Sequence, residues 1–226
     1  MTGYRSGTSN KGADITFTVT APAGLTATDV VLVAVAFTAG PAKVVTPPTG
    51  FTLLTRLDDA GGLGLAVYWG LGSAGAPWTW TFDSAVNFMY DAAAFIGGDA
   101  QTPVDQYAGV TAASDTALTA QGLTPTETAE LLVTIHAALV AGSITAPTGM
   151  VERLNTTDAG LGLSLATNTL AWVPSTPSPT GQRTETANTA VLGHSVSILL
   201  GGNLGVLEEV VDMVVEDAQD VLVYAV

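Results

Sequence analysis

The chain has 226 residues, with six Lys and Arg against twenty Asp and Glu, a formal net charge of −14. Charged residues are only 12% of it, hydrophobic residues 47%, and cysteine is absent. This balance leaves no basic patch for nucleic acid or an anionic membrane surface. The missing thiols exclude disulfides, thiolate zinc sites and cysteine nucleophiles.

The N-terminal stretch MTGYRSGTSNKGAD contains no apolar segment of the kind a secretory signal needs. Ile15, Phe17 and Val19 then alternate with Thr16, Thr18 and Thr20, which predicts a strand with one face buried. Residues 30–36 are apolar on both faces and predict a central strand; the longest apolar stretch, 30–42, is too short to span a bilayer as a helix. Pro22-Ala23-Gly24, Pro47-Pro48-Thr49-Gly50 and Asp59-Ala60-Gly61-Gly62 carry the residues that turns require. Trp78, Trp80 and Phe82 alternate with threonine, 131–139 repeats the doubly apolar pattern, and His194, Val196, Ile198 and Leu200 resume the alternation after a Pro-rich loop at 174–181. No window before residue 203 carries a helix period. The expected fold is all-β: an antiparallel sandwich of jelly-roll or Greek-key type.

The chain also echoes itself. Pro48-Thr49-Gly50-Phe51 returns as Pro147-Thr148-Gly149-Met150, Arg56 as Arg153, and Asp59-Ala60-Gly61 as Asp158-Ala159-Gly160. Residues 92–98 match 196–202, which sets His194 against Tyr90. The order of matches predicts two internal repeats, about 13–98 and 111–202, within one β-sandwich domain over 1–202. Interleaving of the two copies into a sandwich with pseudo-two-fold symmetry is preferred over two separate folds.

The segment 203–226 has no counterpart. It carries Glu208, Glu209, Asp212, Glu216, Asp217 and Asp220 with no Lys or Arg, so six of the fourteen net negative charges lie there. Leu204, Leu207, Val211, Val214, Ala218, Val221 and Ala225 follow a heptad spacing, and Asn203 suits an N-cap. The end of the chain, with Val221, Val223 and Tyr224, reads better as a strand. A short helix over about 204–217 and a C-terminal strand are expected. Leu204, Leu207, Val211, Val214, Val221, Val223 and Tyr224 are the candidate assembly residues, because an apolar strand seeks a sheet edge of its own domain or of a neighbour.

Candidate chemistry is sparse. His136 lies inside an apolar strand and His194 at the start of another; both read as sheet residues, and neither is accompanied by a nucleophile elbow. No metal, nucleotide or Rossmann fingerprint is present, so no cofactor is expected. Most carboxylates read as turn residues; Asp58, Asp59 and Asp158 offer too few oxygens for a calcium cage. Trp78 and Trp80 share a face with Phe82 and read as core, while Trp69 and Trp172 are the candidates for an exposed sugar platform. Arg56 and Arg153 are expected to make ion pairs with Asp58 and Asp158.

Several motifs in order resemble a family. They are Asp-Val-Val-Leu-Val-Ala (29–34), Pro-Thr-Gly-Phe-Thr-Leu-Leu (48–54), Val-Tyr-Trp (67–69) and Trp-Thr-Trp-Thr-Phe (78–82). After them come Ala-Ala-Ala-Phe-Ile-Gly-Gly-Asp (92–99), Thr-Pro-Val-Asp (102–105), Pro-Thr-Gly-Met-Val-Glu-Arg (147–153) and Pro-Thr-Gly-Gln-Arg-Thr-Glu-Thr-Ala (179–187). The pattern resembles a β-sandwich module of tailed-bacteriophage virion proteins, especially those of actinobacteriophages, over roughly 13–200. Phe51 stands where that family usually has Trp, and the acidic tail is not part of it. The resemblance implies a non-enzymatic structural protein of the virion, a minor tail protein or a capsid decoration protein. It would be homo-oligomeric and in contact with tail proteins or the major capsid protein, with no nucleic acid or membrane partner. A carbohydrate-binding module for host adsorption is the alternative, and a glycan hydrolase a third reading that requires two facing carboxylates.

Overall fold

The alternating segments become strands, and the doubly apolar ones become their centre. The computed structural model describes residues 2–126, 130–139, 144–172 and 178–202; the predicted helix and strand at 203–226 lie outside these. The strands are β1 (Gly3–Val19), β2 (Val30–Thr38), β3 (Val45–Thr46), β4 (Phe51–Asp58), β5 (Leu63–Leu71), β6 (Trp78–Ile96), β7 (Val104–Ala120), β8 (Glu130–Leu139), β9 (Ile144–Thr145), β10 (Val151–Asp158), β11 (Leu163–Trp172) and β12 (Arg183–Gly201). All pairings are antiparallel.

Two sheets result. The first has the order β1-β6-β2-β5-β4 with β3 on β6; the second has β7-β12-β8-β11-β10 with β9 on β12. The strand order is the same when β1–β6 are set against β7–β12. The expected interleaving within sheets does not occur, since each sheet takes its strands from one half of the chain alone. Strands near in sequence pair at the lowest loop-closure cost, and the two halves meet face to face. The sheets begin earlier than the predicted repeats, at Gly3 and Val104 rather than at about 13 and 111. The first ten residues of β1 lie largely on the surface and so carry little apolar alternation.

The core between the sheets comes from both. Val30, Leu32, Ala34, Leu65, Val67 and Phe95 face Leu131, Val133, Ile135, Leu165, Val196 and Ile198. The edges meet in exchanged pairs: β1 lies against β10, and β7 against β4. Leu192 of β12 reaches the Gly61 turn, and Asn87 of β6 donates through Nδ2 to the Leu161 carbonyl at 3.3 Å. Asn87 and Leu192 hold the same place in their strands, because β6 and β12 are both 19 residues long.

Each sheet has a second layer on its outer face. The ladder of β1 and β6 slips between Asp14 and Thr16, where the partner jumps from Val86 to Thr81. Beyond the slip, Phe17, Val19, Trp78, Trp80 and Phe82 cover Val31, Val33, Val35 and Tyr68. β12 slips in the same region of its pairing with β7, between Thr186 and Val191. Such irregularities let one long strand serve two layers.

The Pro-Thr-Gly motifs at 48–50 and 147–149 are the same turn. Phe51 N donates to the Pro48 carbonyl and Met150 N to the Pro147 carbonyl, while Gly50 and Gly149 take φ of 93° and 80°. Only glycine adopts that third position without strain. A tighter constraint sits at Gly72, whose added Cβ would overlap the Thr26 carbonyl. Gly72→Ala should therefore cost about 1–3 kcal/mol, read as a lower urea midpoint with unchanged slope.

Candidate functional site

Aligning the sheets through their ladders shows where the two halves differ chemically. β6 and β12, equal in length, set Trp80 against Glu185 and Tyr90 against Ser195. Val35 pairs with Tyr90 while His136 pairs with Ser195, so His136 takes the place of Val35. Tyr68 pairs with Val33 and Asn168 with Thr134, so Asn168 takes the place of Tyr68. Under the first flap the Tyr68 and Trp80 rings meet edge to face at 4.7 Å. Under the second, Asn168 Nδ2 donates to Glu185 Oε1 at 3.4 Å. An aromatic layer in one half is a buried polar layer in the other.

This polar layer brings two titratable side chains, His136 and Glu185, together inside the fold. His136, Asn168 and Glu185 are fully buried. His136 Nδ1 lies 3.1 Å from Ser195 Oγ and 3.7 Å from Glu185 Oε2. Burial lowers the His136 pKa to about 3 and raises that of Glu185 to about 8, so at neutral pH the two are an uncharged pair rather than a salt bridge. Serine, histidine and a carboxylic acid thus meet, but the hydroxyl and the acid approach the same ring nitrogen. A nucleophile relay needs them on opposite nitrogens. His136 Nε2, Asn168 Oδ1 and Glu185 Oε2 have no hydrogen-bond partner among the described residues.

His194 has a different task. Its Nε2 lies 3.2 Å from the Leu63 carbonyl and its Nδ1 3.0 Å from Thr111 Oγ1. A carbonyl only accepts, so the proton sits on Nε2, and the imidazole ties β12 to the first sheet. Burial lowers its pKa. The sequence match of His194 with Tyr90 is one residue out of register. Tyr90 lies in the outer cluster of the first sheet, whereas His194 faces the first sheet across the sandwich. In a strand one residue of slip exchanges the faces.

Other expectations divide. Trp78 and Trp80 are buried as core. Trp172 is half-buried rather than exposed: its Nε1 donates to the Ser178 carbonyl at 3.1 Å, and Arg183 lies 5.9 Å over the ring. Arg56 Nε pairs with Asp58 Oδ2 at 2.7 Å as expected. Arg153 does not pair with Asp158, which takes Lys11 at 2.8 Å; Arg153 donates to Thr169 Oγ1 and lies over the Tyr4 ring. The ladders explain this, since the edge strand of each sheet that pairs with β5 or β11 carries a bulge, at Leu54 in β4 and at Arg153 in β10. Arg153 therefore corresponds to Leu54, and Arg56 to Asn155; Arg56 donates to the Gly40 carbonyl and Asn155 to that of Ile144 in β9. Asp59 and Asp158 accept from the Gly61 and Leu161 amides as turn residues. Among the described residues no three His, Asp or Glu gather as a metal site.

Three buried acids within strands escape the turn rule: Asp91, Glu130 and Glu185. Asp91 is 1% exposed between the sheets, where Oδ2 accepts from Thr167 Oγ1 at 2.8 Å and Oδ1 has no hydrogen-bond partner among the described residues. The available signal was a carboxylate inside a strand pattern, at Tyr90-Asp91-Ala92 and Thr184-Glu185-Thr186.

Trp69 is placed differently from the other tryptophans. It is half-buried beside Leu54, Val104 and Tyr107, and it lines a groove of about 240 Å³ with Gln101, Thr102, Pro103 and Asp105 on the rim. The candidate residues Leu204, Leu207, Val211, Val214, Val221, Val223 and Tyr224 lie outside the described residues. The chain matches no protein-family model, and comparison with curated proteins and with solved structures finds no similar protein.

Proposed function

We propose that this chain is a non-enzymatic structural protein of a tailed-bacteriophage virion, a minor tail or capsid decoration protein. On this reading it acts through contacts with other virion proteins and with copies of itself. The ordered motifs described above support the family. The observation that carries the mode of action is that the two sheets bury a shared apolar core between them within the described residues. On this reading the body supplies its own core, and the acidic, apolar-seamed segment 203–226 serves assembly. We read the two sheets, with their common strand order, as two copies of one unit.

Truncation after Gly202 tests this. The expected product folds with a melting temperature close to that of the full chain, runs as a monomer by light scattering, and no longer joins particles or oligomers. A truncated chain that fails to fold places 203–226 in the core and removes the assembly role; one that still assembles removes it as well.

The second reading, a carbohydrate-binding module for host adsorption, is supported at one place, the groove beside Trp69. A glycan hydrolase has less support, because Asp105 is the one carboxylate among the described residues lining that groove, and hydrolysis needs two.

A further inference from the structure

The groove beside Trp69 has a counterpart on the other side of the sandwich, and the two are not alike. Trp69 pairs with Leu32 as Thr169 pairs with Val133. Val104 pairs with Leu200 as Tyr4 pairs with Phe95, and Tyr107 with Ile198 as Gly7 with Ala93. The bulged residues are Leu54 and Arg153. The same scaffold position thus holds Trp69, Tyr107, Val104 and Leu54 in one place, and Thr169, Gly7, Tyr4 and Arg153 in the other.

The second position is filled by the protein itself. The Tyr4 ring packs edge-on against Phe95 at 6.0 Å, and the Arg153 guanidinium lies 4.6 Å over it. Arg153 Nε is held by Thr169 Oγ1 at 2.8 Å. Residue 7 is closely surrounded: an added Cβ would meet the Tyr4 hydroxyl at 2.8 Å, Leu154 Cδ1 at 2.9 Å and the Ala92 carbonyl at 3.1 Å, so the two side chains would have to shift. In the first position short Val104 and Leu54 leave the space open, and two aromatic rings stand beside it. Tyr107 is 49% exposed, the one aromatic ring among the exposed large hydrophobic side chains of the described residues.

The rim is polar and held in place. Asp99 accepts from the Gln101 amide at 2.8 Å and from Thr102 Oγ1 at 2.6 Å, which shapes the turn that carries both side chains. Asp105 accepts from Thr126 N at 2.9 Å and from Thr126 Oγ1 at 2.7 Å, one bond on each oxygen. Each oxygen keeps a further lone pair for an incoming hydroxyl.

We propose that this groove binds a neutral saccharide, one pyranose ring stacked on Trp69 and Tyr107 with its hydroxyls bonded to Asp105, Gln101 and Thr102. The inference deepens the second reading above and does not depend on the virion assignment. Its volume of about 240 Å³ suits one ring, below the roughly 300–1,000 Å³ of sites for drug-sized ligands. The groove's one carboxylate and the net charge of −14 disfavour anionic sugars. A sugar presents both a C–H face for the rings and hydroxyls for the rim.

Saturation-transfer difference NMR on the full chain tests the proposal. The probes are glucose, galactose, N-acetylglucosamine and rhamnose, each also as a methyl glycoside, at up to about 20 mM, a range that detects millimolar affinity. At least one should give a ring-proton signal and shift the Trp69 indole resonance, assigned with Trp69→Phe. Tyr107→Ala, at an exposed position, should weaken that binding about tenfold or more, while Arg153→Ala in the filled counterpart leaves it unchanged. Silence from every probe overturns the proposal, as does binding that survives Tyr107→Ala or leaves Trp69 unshifted. A Trp69 shift produced by choline and by none of the sugars assigns the groove to a cation and overturns it too. The truncation after Gly202 leaves the groove intact, so loss of assembly and loss of sugar binding are separate results.

Discussion

Urea melts across pH should find the protein most stable near about pH 4–4.5 and progressively weaker up to about pH 8. Three buried groups dominate this profile, and His194, whose pKa burial also lowers, acts in the same direction as His136. Burial raises Asp91 to about 7 and Glu185 to about 8, and lowers His136 to about 3. A carboxyl whose folded pKa is raised gives its full stability below its unfolded pKa and loses it as pH rises through the folded value. Asp91 therefore loses stability between about pH 4 and 7, and Glu185 between about 4.5 and 8. His136 acts oppositely: its contribution is present above about pH 6.5 and is lost as pH falls to about 3. His136 offsets one carboxyl over the acidic half of the range, so these three groups together give a fall from about pH 4.5 to 8 of the order of 5 kcal/mol, which His194 lessens.

The charge-neutral variants separate these contributions from the general repulsion of an acidic chain. Asp91→Asn should flatten the profile up to about pH 7 and Glu185→Gln up to about pH 8, each raising the urea midpoint at pH 8. Asp91 is suited to the test because Thr167 is its hydrogen-bond partner and the titrating groups that feel its charge, Tyr4 and Glu185, are both raised mainly by burial. The corresponding place in the other half holds Val67 and Val196, both in the apolar core, so the scaffold tolerates loss of the charge. A midpoint that stays constant from pH 4.5 to 8 in the wild-type chain would show that neither carboxyl is held protonated.

Trp80→Ala is the largest expected single loss from the first sheet, roughly 3–5 kcal/mol, or about 10 °C in melting temperature. Its indole meets Tyr68 at 4.7 Å, Phe51 at 5.4 Å and Phe17 at 6.1 Å, so its removal strips three aromatic neighbours at once. Its Nε1 has no hydrogen-bond partner among the described residues, so Trp80→Phe forfeits volume but no bond and should cost far less. Equal losses for the two variants in differential scanning calorimetry would contradict the packing account.

The sequence made the strands visible where burial alternates, as at Phe17–Val19 and Trp78–Phe82, and the central strands where both faces are apolar. It made both histidines legible as sheet residues. What stayed hidden depends on register. Arg153 and Arg56 look equivalent along the chain, yet the bulges at Leu54 and Arg153 set Arg56 against Asn155, and one inserted residue is invisible in a pattern of turns. The same slip misplaces His194 against Tyr90. Asp91 was hidden because its burial depends on Thr167 in the other half, a contact made only when the sheets face each other. The groove was half visible: Trp69 was a candidate aromatic, but Tyr107 joins it through a strand 38 residues further on.

The exchanged edge contacts, β1 on β10 and β7 on β4, carry a further consequence. Two identical chains meeting this way would have to build every cavity twice, and a change that opened one would open the other. With both sheets on one polypeptide that obligation is lifted. One flap can be stacked rings while its opposite is a neutral histidine and acid, and one hollow can be plugged by an arginine while its mirror stays open. The asymmetry that a symmetric pair forbids is available to a single chain at the cost of one short connection, residues 97–103.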